Sequence, residues 1–258
     1  MFWFKKKKTI LKCYTTDPFA YSFAKIDWGE NFIPEWYNNL PVFNTWPNGS
    51  VQPTLRVCHG FKQLYKNSLV IPSWAHISMT PNIIQNGPGF EWRVNTAFTK
   101  ITKHPSNQVA GFFDETRFST FKIETPWWLR CNEPVQFIVC DPIWNRPGIL
   151  DYSILPGILD FKYQSGTNIL GVLEHRDVKE EKKEVIFSPG DPIVLLTPLT
   201  DQEIVLEHHL VTPSELAKYL PDLRVGIDNA VNKYNLSKKF INKLDQQESK
   251  CPFGFKKK

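Results

Sequence analysis

Prolines and short apolar runs constrain the fold of this chain more than any other feature. The 258 residues include 20 prolines, and the apolar runs between them have the length of β-strands rather than of helices. In residues 125–142, TPWWLRCNEPVQFIVCDP, two such runs flank a turn at Asn132-Glu133-Pro134. Residues 137–140 are apolar at consecutive positions, so we predict a central strand that is buried on both faces. The pattern predicts a mainly β fold, in one large domain or two small ones.

The first third of the chain follows the same pattern, with one long exception. Residues 9–26 predict a strand, a turn at Asp17-Pro18 and a second strand, and residues 67–79 predict a strand interrupted at Pro72. Residues 27–55 hold four prolines and form a long irregular segment. Its large aromatic residues predict that this segment packs on the protein instead of being disordered. These anchors are Trp28, Trp36, Tyr37 and Trp46.

The hydrophobic period changes near residue 212. Thr212 as N-cap, Pro213 at the first helical position and Glu215 three residues after the cap form a capping box, which predicts a helix over 212–220. A second helix is predicted over 224–247. Its apolar stripe is Ile227, Val231, Tyr234, Ile241 and Leu244.

The charge of the chain is concentrated at its ends. The net charge is +5, but seven of the 31 basic residues lie in Lys5–Lys8 and Lys256–Lys258, which leaves 24 basic against 26 acidic residues elsewhere. We therefore expect contact with nucleic acid or an anionic membrane only through these lysines, and only weakly. The predicted organisation is a basic and aromatic N-terminal tail (1–8), a β-rich domain (9–211), C-terminal helices (212–248) and a basic tail (249–258).

The cysteines and histidines predict no metal site. The five cysteines form no CxxC pair, and their odd number favours reduced thiols in a reducing compartment, the cytoplasm. The facial triad of an iron oxygenase would require a His-x-Asp or His-x-Glu motif and a distant histidine. One such triplet occurs, at His175–Asp177, and we expect the histidines to lie at the surface or in the core. No apolar window is long enough for a transmembrane helix, and we expect no signal peptide.

The segment PGILDFKY, residues 156–163, carries the strongest candidate chemistry, and a Gly190-Asp191 turn follows it before an apolar strand. This pair resembles the hairpin and turn of the dUTPase and dCTP-deaminase superfamily, whose fold is the β-clip. The resemblance implies that Asp160 orients an attacking water and that Tyr163 stacks beneath a deoxyribose, with Mg²⁺ as cofactor and sites between the subunits of a homotrimer. The superfamily's Arg-Ser-Ser phosphate turn is missing, and Arg146 is the nearest candidate phosphate ligand. The alternative is that Asp160 only accepts backbone hydrogen bonds in a tight turn.

A second resemblance covers most of the chain. The motifs that carry it lie at Pro72-Trp74, Pro126-Trp127, Asn145-Arg146, Pro156-Asp160 and Gly190-Pro192. With these motifs the chain resembles a family of uncharacterised, often phage-encoded proteins. The resemblance implies a β-clip or jelly-roll-like sandwich with a C-terminal helical extension, and a location in the host cytoplasm or in the virion. It implies no activity.

Trp127 and Trp128 form a candidate ligand platform. Consecutive residues on a strand face opposite sides, so one of them should point outward, near Arg130. An outward tryptophan beside an arginine could bind a sugar, a base or a protein partner. The alternative is that a loop or a helix covers it, and the Trp-rich segment 27–55 is available as a lid.

These observations favour a non-enzymatic structural or interaction module that assembles with itself or with a protein partner. The alternative is a nucleotide-binding or nucleotide-hydrolysing enzyme that uses Asp160 and Tyr163.

Overall fold

A computed structural model describes residues 7–84, 87–96, 100–104, 109, 111–114, 117–146, 151–175, 184–220 and 233–249. The strands are β1 (Lys8–Thr15), β2 (Asp27–Trp28), β3 (Phe43–Thr45), β4 (Val51–Pro53), β5 (Leu69–Pro72), β6 (Ile77–Ile84), β7 (Gly87–Val94), β8 (Lys100–Lys103), β9 (Phe118–Cys131), β10 (Gln136–Cys140), β11 (Tyr152–Ile154), β12 (Gly157–Asp160), β13 (Gly166–Glu174), β14 (Val185–Phe187), β15 (Pro192–Pro198) and β16 (Glu203–Leu210). The helices are α1 (Pro18–Phe23), α2 (Glu35–Asn39), α3 (His59–Asn67), α4 (Pro213–Tyr219) and α5 (Lys233–Ser249). Short 3₁₀ helices span Gly29–Phe32, Leu55–Val57 and Ile143–Asn145.

Two sheets carry most of the strands. The first has the order β11-β13-β9-β1-β16, with β8 also paired to β9, and the second has the order β12-β10-β15-β5-β2. A three-stranded sheet, β14-β6-β7, and a separate β3-β4 hairpin complete the fold. The fold is mainly β with C-terminal helices, as the sequence predicts.

One hydrophobic cluster joins the three larger sheets. It includes Leu11 of β1, Phe121 of β9, Phe137 of β10, Met79 of β6 and Leu196 of β15, each almost fully buried. The shared core explains why the short strands are stable, because each sheet buries one apolar face against another.

The prediction of a central strand buried on both faces over residues 137–140 is only partly confirmed by β10. It lies between β12 and β15, so the central position predicted for residues 137–140 is confirmed. However, Phe137 and Val139 are buried whereas Ile138 and Cys140 are only half-buried. The strand therefore buries one face fully, as in an antiparallel sandwich, and not both.

The second strand predicted within residues 9–26 is wrong, because the chain forms helix α1 there. The Asp17 side chain accepts hydrogen bonds from the Phe19 and Ala20 amides, and Pro18 occupies the first helical turn. Asp followed by Pro is a helix-start signal, and here it was interpreted as a β-turn.

The C-terminal helices agree with the sequence where the structure describes them. The predicted capping box is present at Thr212 and Glu215. In α5, Ile241 is buried, while Tyr234 is 37 % exposed. Residues 221–232, with the predicted helix start and the first half of its stripe, lie outside the described residues, as do most of both terminal tails. Within the described residues, no helix is long and apolar enough to cross a membrane.

Candidate functional site

Asp160 lies at the end of β12 and organises the turn into β13. Its Oδ1 accepts a hydrogen bond from the Lys162 amide at 3.0 Å, and its carbonyl oxygen accepts from the Tyr163 and Gln164 amides at 3.0 and 2.9 Å. The residue is 8 % exposed. Asp160 thus accepts hydrogen bonds from three successive amides of the turn, one through its side chain and two through its carbonyl oxygen.

Helix α5 covers this turn. The Tyr234 hydroxyl donates to Asp160 Oδ2 at 3.3 Å, and the Tyr163 hydroxyl donates to Asn242 Oδ1 at 3.2 Å. Lys162 pairs with Asp245 at 3.0 Å. Burial, and then the charge of Asp160, raise the pKa of Tyr234, so this phenol stays protonated and donates. Both predicted catalytic residues are therefore brought together, and both are engaged by α5.

Arg146, the candidate phosphate ligand, is held within the protein. Its guanidinium pairs with Asp141, donates to the Tyr152 carbonyl at 2.5 Å and lies 3.9 Å from the centroid of the Tyr152 ring. The other carboxylate oxygen of Asp141 accepts from the Ile154 amide at 2.7 Å. These contacts fix the start of β11.

The two tryptophans of β9 face opposite sides, as predicted. Trp127 is fully buried, and its indole donates to the Ala24 carbonyl at 3.2 Å. Trp128 is half-buried against a small cluster formed by Tyr14, Leu216 and Leu220. Trp128 is therefore covered by helix α4, and not by segment 27–55. Arg130 donates to the Lys162 carbonyl.

A column of three rings lies beside Trp128. Tyr14 stacks against His209 at 5.1 Å between centroids and against Tyr219 at 5.2 Å. Burial, and then the neighbouring Tyr219 and Glu207, raise the pKa of Tyr14. Sequence reasoning missed this group because it depends on the parallel pairing of β1 with β16, strands that lie far apart in the chain.

The β3-β4 hairpin is the most exposed apolar feature among the described residues. Every residue from Pro41 to Pro53 is exposed, and within the described part of the chain β3 and β4 pair only with each other. We call residues 41–53 the hairpin surface. Its large apolar side chains are Val42, Phe43, Trp46 and Val51, between 45 % and 61 % exposed. Trp46, one of the aromatic residues expected to order segment 27–55, is 55 % exposed.

Hydrogen bonds within the hairpin surface and at its base order it despite its exposure. Gly49, with φ +79°, closes the turn, and the Trp46 amide donates to the Ser50 carbonyl at 2.8 Å. At the base, the Arg56 guanidinium donates to the carbonyls of Asn38 and Leu40. A preordered surface loses less conformational entropy when it binds.

The hairpin surface has a sequence signal that periodicity does not detect. Residues 36–55 contain no Asp, Glu, Lys, Arg or His. Exposed sheet edges usually carry charges that prevent association with other strands. An uncharged exposed hairpin is therefore typical of a surface that a partner covers.

Comparison of the chain with protein-family models, with curated proteins and with solved structures finds no match.

Proposed function

We propose that this chain is a non-enzymatic assembly module that buries its hairpin surface against a second copy of itself. The observation that carries the proposal is the exposed run Pro41–Pro53, which holds four large apolar side chains and no charge. Covering such side chains releases about 25 cal/mol for each Å² of apolar surface removed from water.

The charge distribution favours a second copy as the partner. Outside the terminal lysine runs the chain holds 24 basic and 26 acidic residues, so two copies do not repel each other strongly through their folded parts. The uncharged segment 36–55 is where two copies can meet without pairing like charges. In addition, β3 and β4 offer unpaired backbone groups, and a two-stranded sheet alone is only marginally stable.

The remaining expectations from the sequence belong to the same proposal. A phage origin, a β-clip relationship and a location in the host cytoplasm or virion rest on the resemblance of the sequence motifs. The nucleotide-binding alternative stays a prediction. The hydrogen bonds that Asp160 and Tyr163 already make to the turn and to α5 favour the structural role.

Sedimentation velocity of the full chain over a range of concentrations tests this proposal. We expect reversible association that the double variant Phe43→Ser, Trp46→Ser abolishes, because both side chains are exposed in the monomer and their loss leaves the core intact. Trp92→Ser is the matched control, since Trp92 is 44 % exposed on β7, outside the hairpin surface. A chain that stays monomeric at every concentration, or association that the double variant does not change, would refute the proposal.

A further inference from the structure

The ring column forms one wall of a cleft that the proposed assembly does not use. The cleft has a volume of about 480 Å³ and lies between the end of β16, helix α4, the second half of β1 and helix α1. Tyr21 of α1 and Lys12 of β1 complete its lining together with Tyr14, His209 and Tyr219. Its volume lies within the usual range of small-molecule sites, about 300 to 1,000 Å³.

The aromatic wall is built by strand register and by the helix cap. Tyr14 and His209 are direct neighbours in the parallel β1-β16 pair. Tyr219 reaches Tyr14 because the capping box at Thr212 starts α4, and Leu216 and Leu220 fix this helix against the small cluster around Trp128. Tyr219 remains 48 % exposed, so the end of the column is open to a further ring.

Lys12 gives the cleft a positive charge. It has no ion-pair partner within the described ranges, and it lies two residues before Tyr14, on the same side of β1. Of the carboxylates, Glu215 lines the cleft, but the Thr212 amide and hydroxyl bind it at the start of α4, each at 2.8 Å. Glu207 lies outside the lining, 3.6 Å from the His209 Nε2 atom, which is too far for a hydrogen bond.

The histidine adds an independent observation. The Nε2 atom of His209 is buried and, within the described part of the chain, has no hydrogen-bond partner. Polar groups without partners at a cleft wall are typical of a site whose partner is a ligand.

From these groups we infer that the cleft binds a small planar aromatic molecule that carries an anionic group, a carboxylate or a phosphate. The ring stacks on Tyr219 and extends the column, and the anion binds the ammonium group of Lys12. A free aromatic carboxylate and a nucleoside monophosphate share this chemistry.

Titration calorimetry of the full chain distinguishes the two sources. Indole-3-carboxylate and uridine monophosphate are the two probes. Indole and uridine supply a ring without the anion, and acetate and inorganic phosphate supply the anion without a ring. We expect saturable binding of one probe, at least about tenfold tighter than binding of its two separate parts, and the probe that binds identifies the source.

Two variants test the site itself. Lys12→Gln and Tyr219→Ala should each weaken binding of that probe by about tenfold or more. Lys8→Gln, on the same strand but paired with Glu203, is the matched control and should leave binding unchanged. Circular dichroism checks that each variant is folded.

No saturable binding of either probe, or binding that neither cleft variant changes, would overturn the inference. Sedimentation of the same variants separates this result from the assembly proposal, since neither residue lies in the hairpin surface.

Discussion

The carboxylate of Asp160 connects two distant parts of the chain, because its Oδ2 accepts a hydrogen bond from the Tyr234 hydroxyl of α5 while its Oδ1 accepts one from the Lys162 amide. The residue implied by resemblance to be catalytic is thus the point where the C-terminal helix meets the β-sandwich. This relationship leads to the first prediction.

Asp160→Ala should destabilise the protein by about 1 to 3 kcal/mol, because it leaves the partly buried Lys162 amide and the Tyr234 hydroxyl without their acceptor. Asp160→Asn keeps one side-chain oxygen for that amide, and its new amino group can donate to the Tyr234 oxygen, so its cost should be smaller. Urea denaturation measures both. Equal stability of Asp160→Ala and the parent would contradict the turn role. A nucleotide-induced thermal shift that Asp160→Asn abolishes without loss of stability would support the catalytic alternative.

Helix α5 should undock as a unit when its one fully buried apolar side chain is removed. Ile241 is 1 % exposed, and most other contacts of α5 with the turn are polar. Ile241→Ala should cost about 2 to 4 kcal/mol of the docking free energy of α5, seen as faster amide hydrogen exchange in residues 233–249. Leu236→Ala, at a side chain that is 44 % exposed, is the control. Unchanged exchange in Ile241→Ala would show that polar contacts alone hold the helix.

Gly171 should not tolerate alanine. It pairs directly with Phe121 across β13 and β9, and an added Cβ would overlap the Phe121 ring, with Cε1 and Cε2 only 2.8 Å away. Phe121 is fully buried and cannot turn aside. We expect Gly171→Ala to lower the unfolding free energy by about 1 to 3 kcal/mol or more. Gly157→Ala, where a Cβ meets nothing within 4 Å, should change stability little. Thermal and urea unfolding compare the two, and similar stabilities would argue against the close β9-β13 packing.

Stability should fall on mild acidification because of two histidines, of which His175 is buried and His208 is half-buried. Burial lowers the pKa of His208 and of His175 below the ordinary value of 6.5. Between 6.5 and the lowered value the unfolded chain binds protons that the folded chain does not, so the unfolding free energy decreases as the pH falls through this window. His208→Gln should flatten part of that decline, and His59→Gln, an exposed position on α3, is the control. A stability that is constant from pH 7 to pH 5 would contradict the burial of these rings.

The sequence predicts those features that depend on neighbouring residues. The capping box at Thr212, the strands on either side of Asn132-Glu133-Pro134 and a turn-forming role for Asp160 all follow from local spacing. The sequence does not predict helix α1, because Asp followed by Pro can start either a turn or a helix. The burial of Ala20 in the core is a contact that local spacing does not show.

The remaining features depend on contacts between distant segments. The cover of Trp128 by α4, the docking of α5 on the Asp160 turn and the stacking of Tyr14 with His209 each join residues more than 70 positions apart. Hydrophobic periodicity has no information about such pairs. The hairpin surface is different, because the absence of charge in residues 36–55 is visible in the sequence and only its exposure had to come from the structure.

Amide hydrogen exchange of residues 41–53, measured in dilute and in concentrated protein, tests the assembly proposal most directly. If the hairpin surface pairs with a second copy, exchange in these residues slows as the concentration rises, while exchange in β7, which contains the exposed Trp92, does not change. Exchange in residues 41–53 that is independent of concentration, or protection that develops on another surface, would contradict the proposal that this chain assembles through its hairpin.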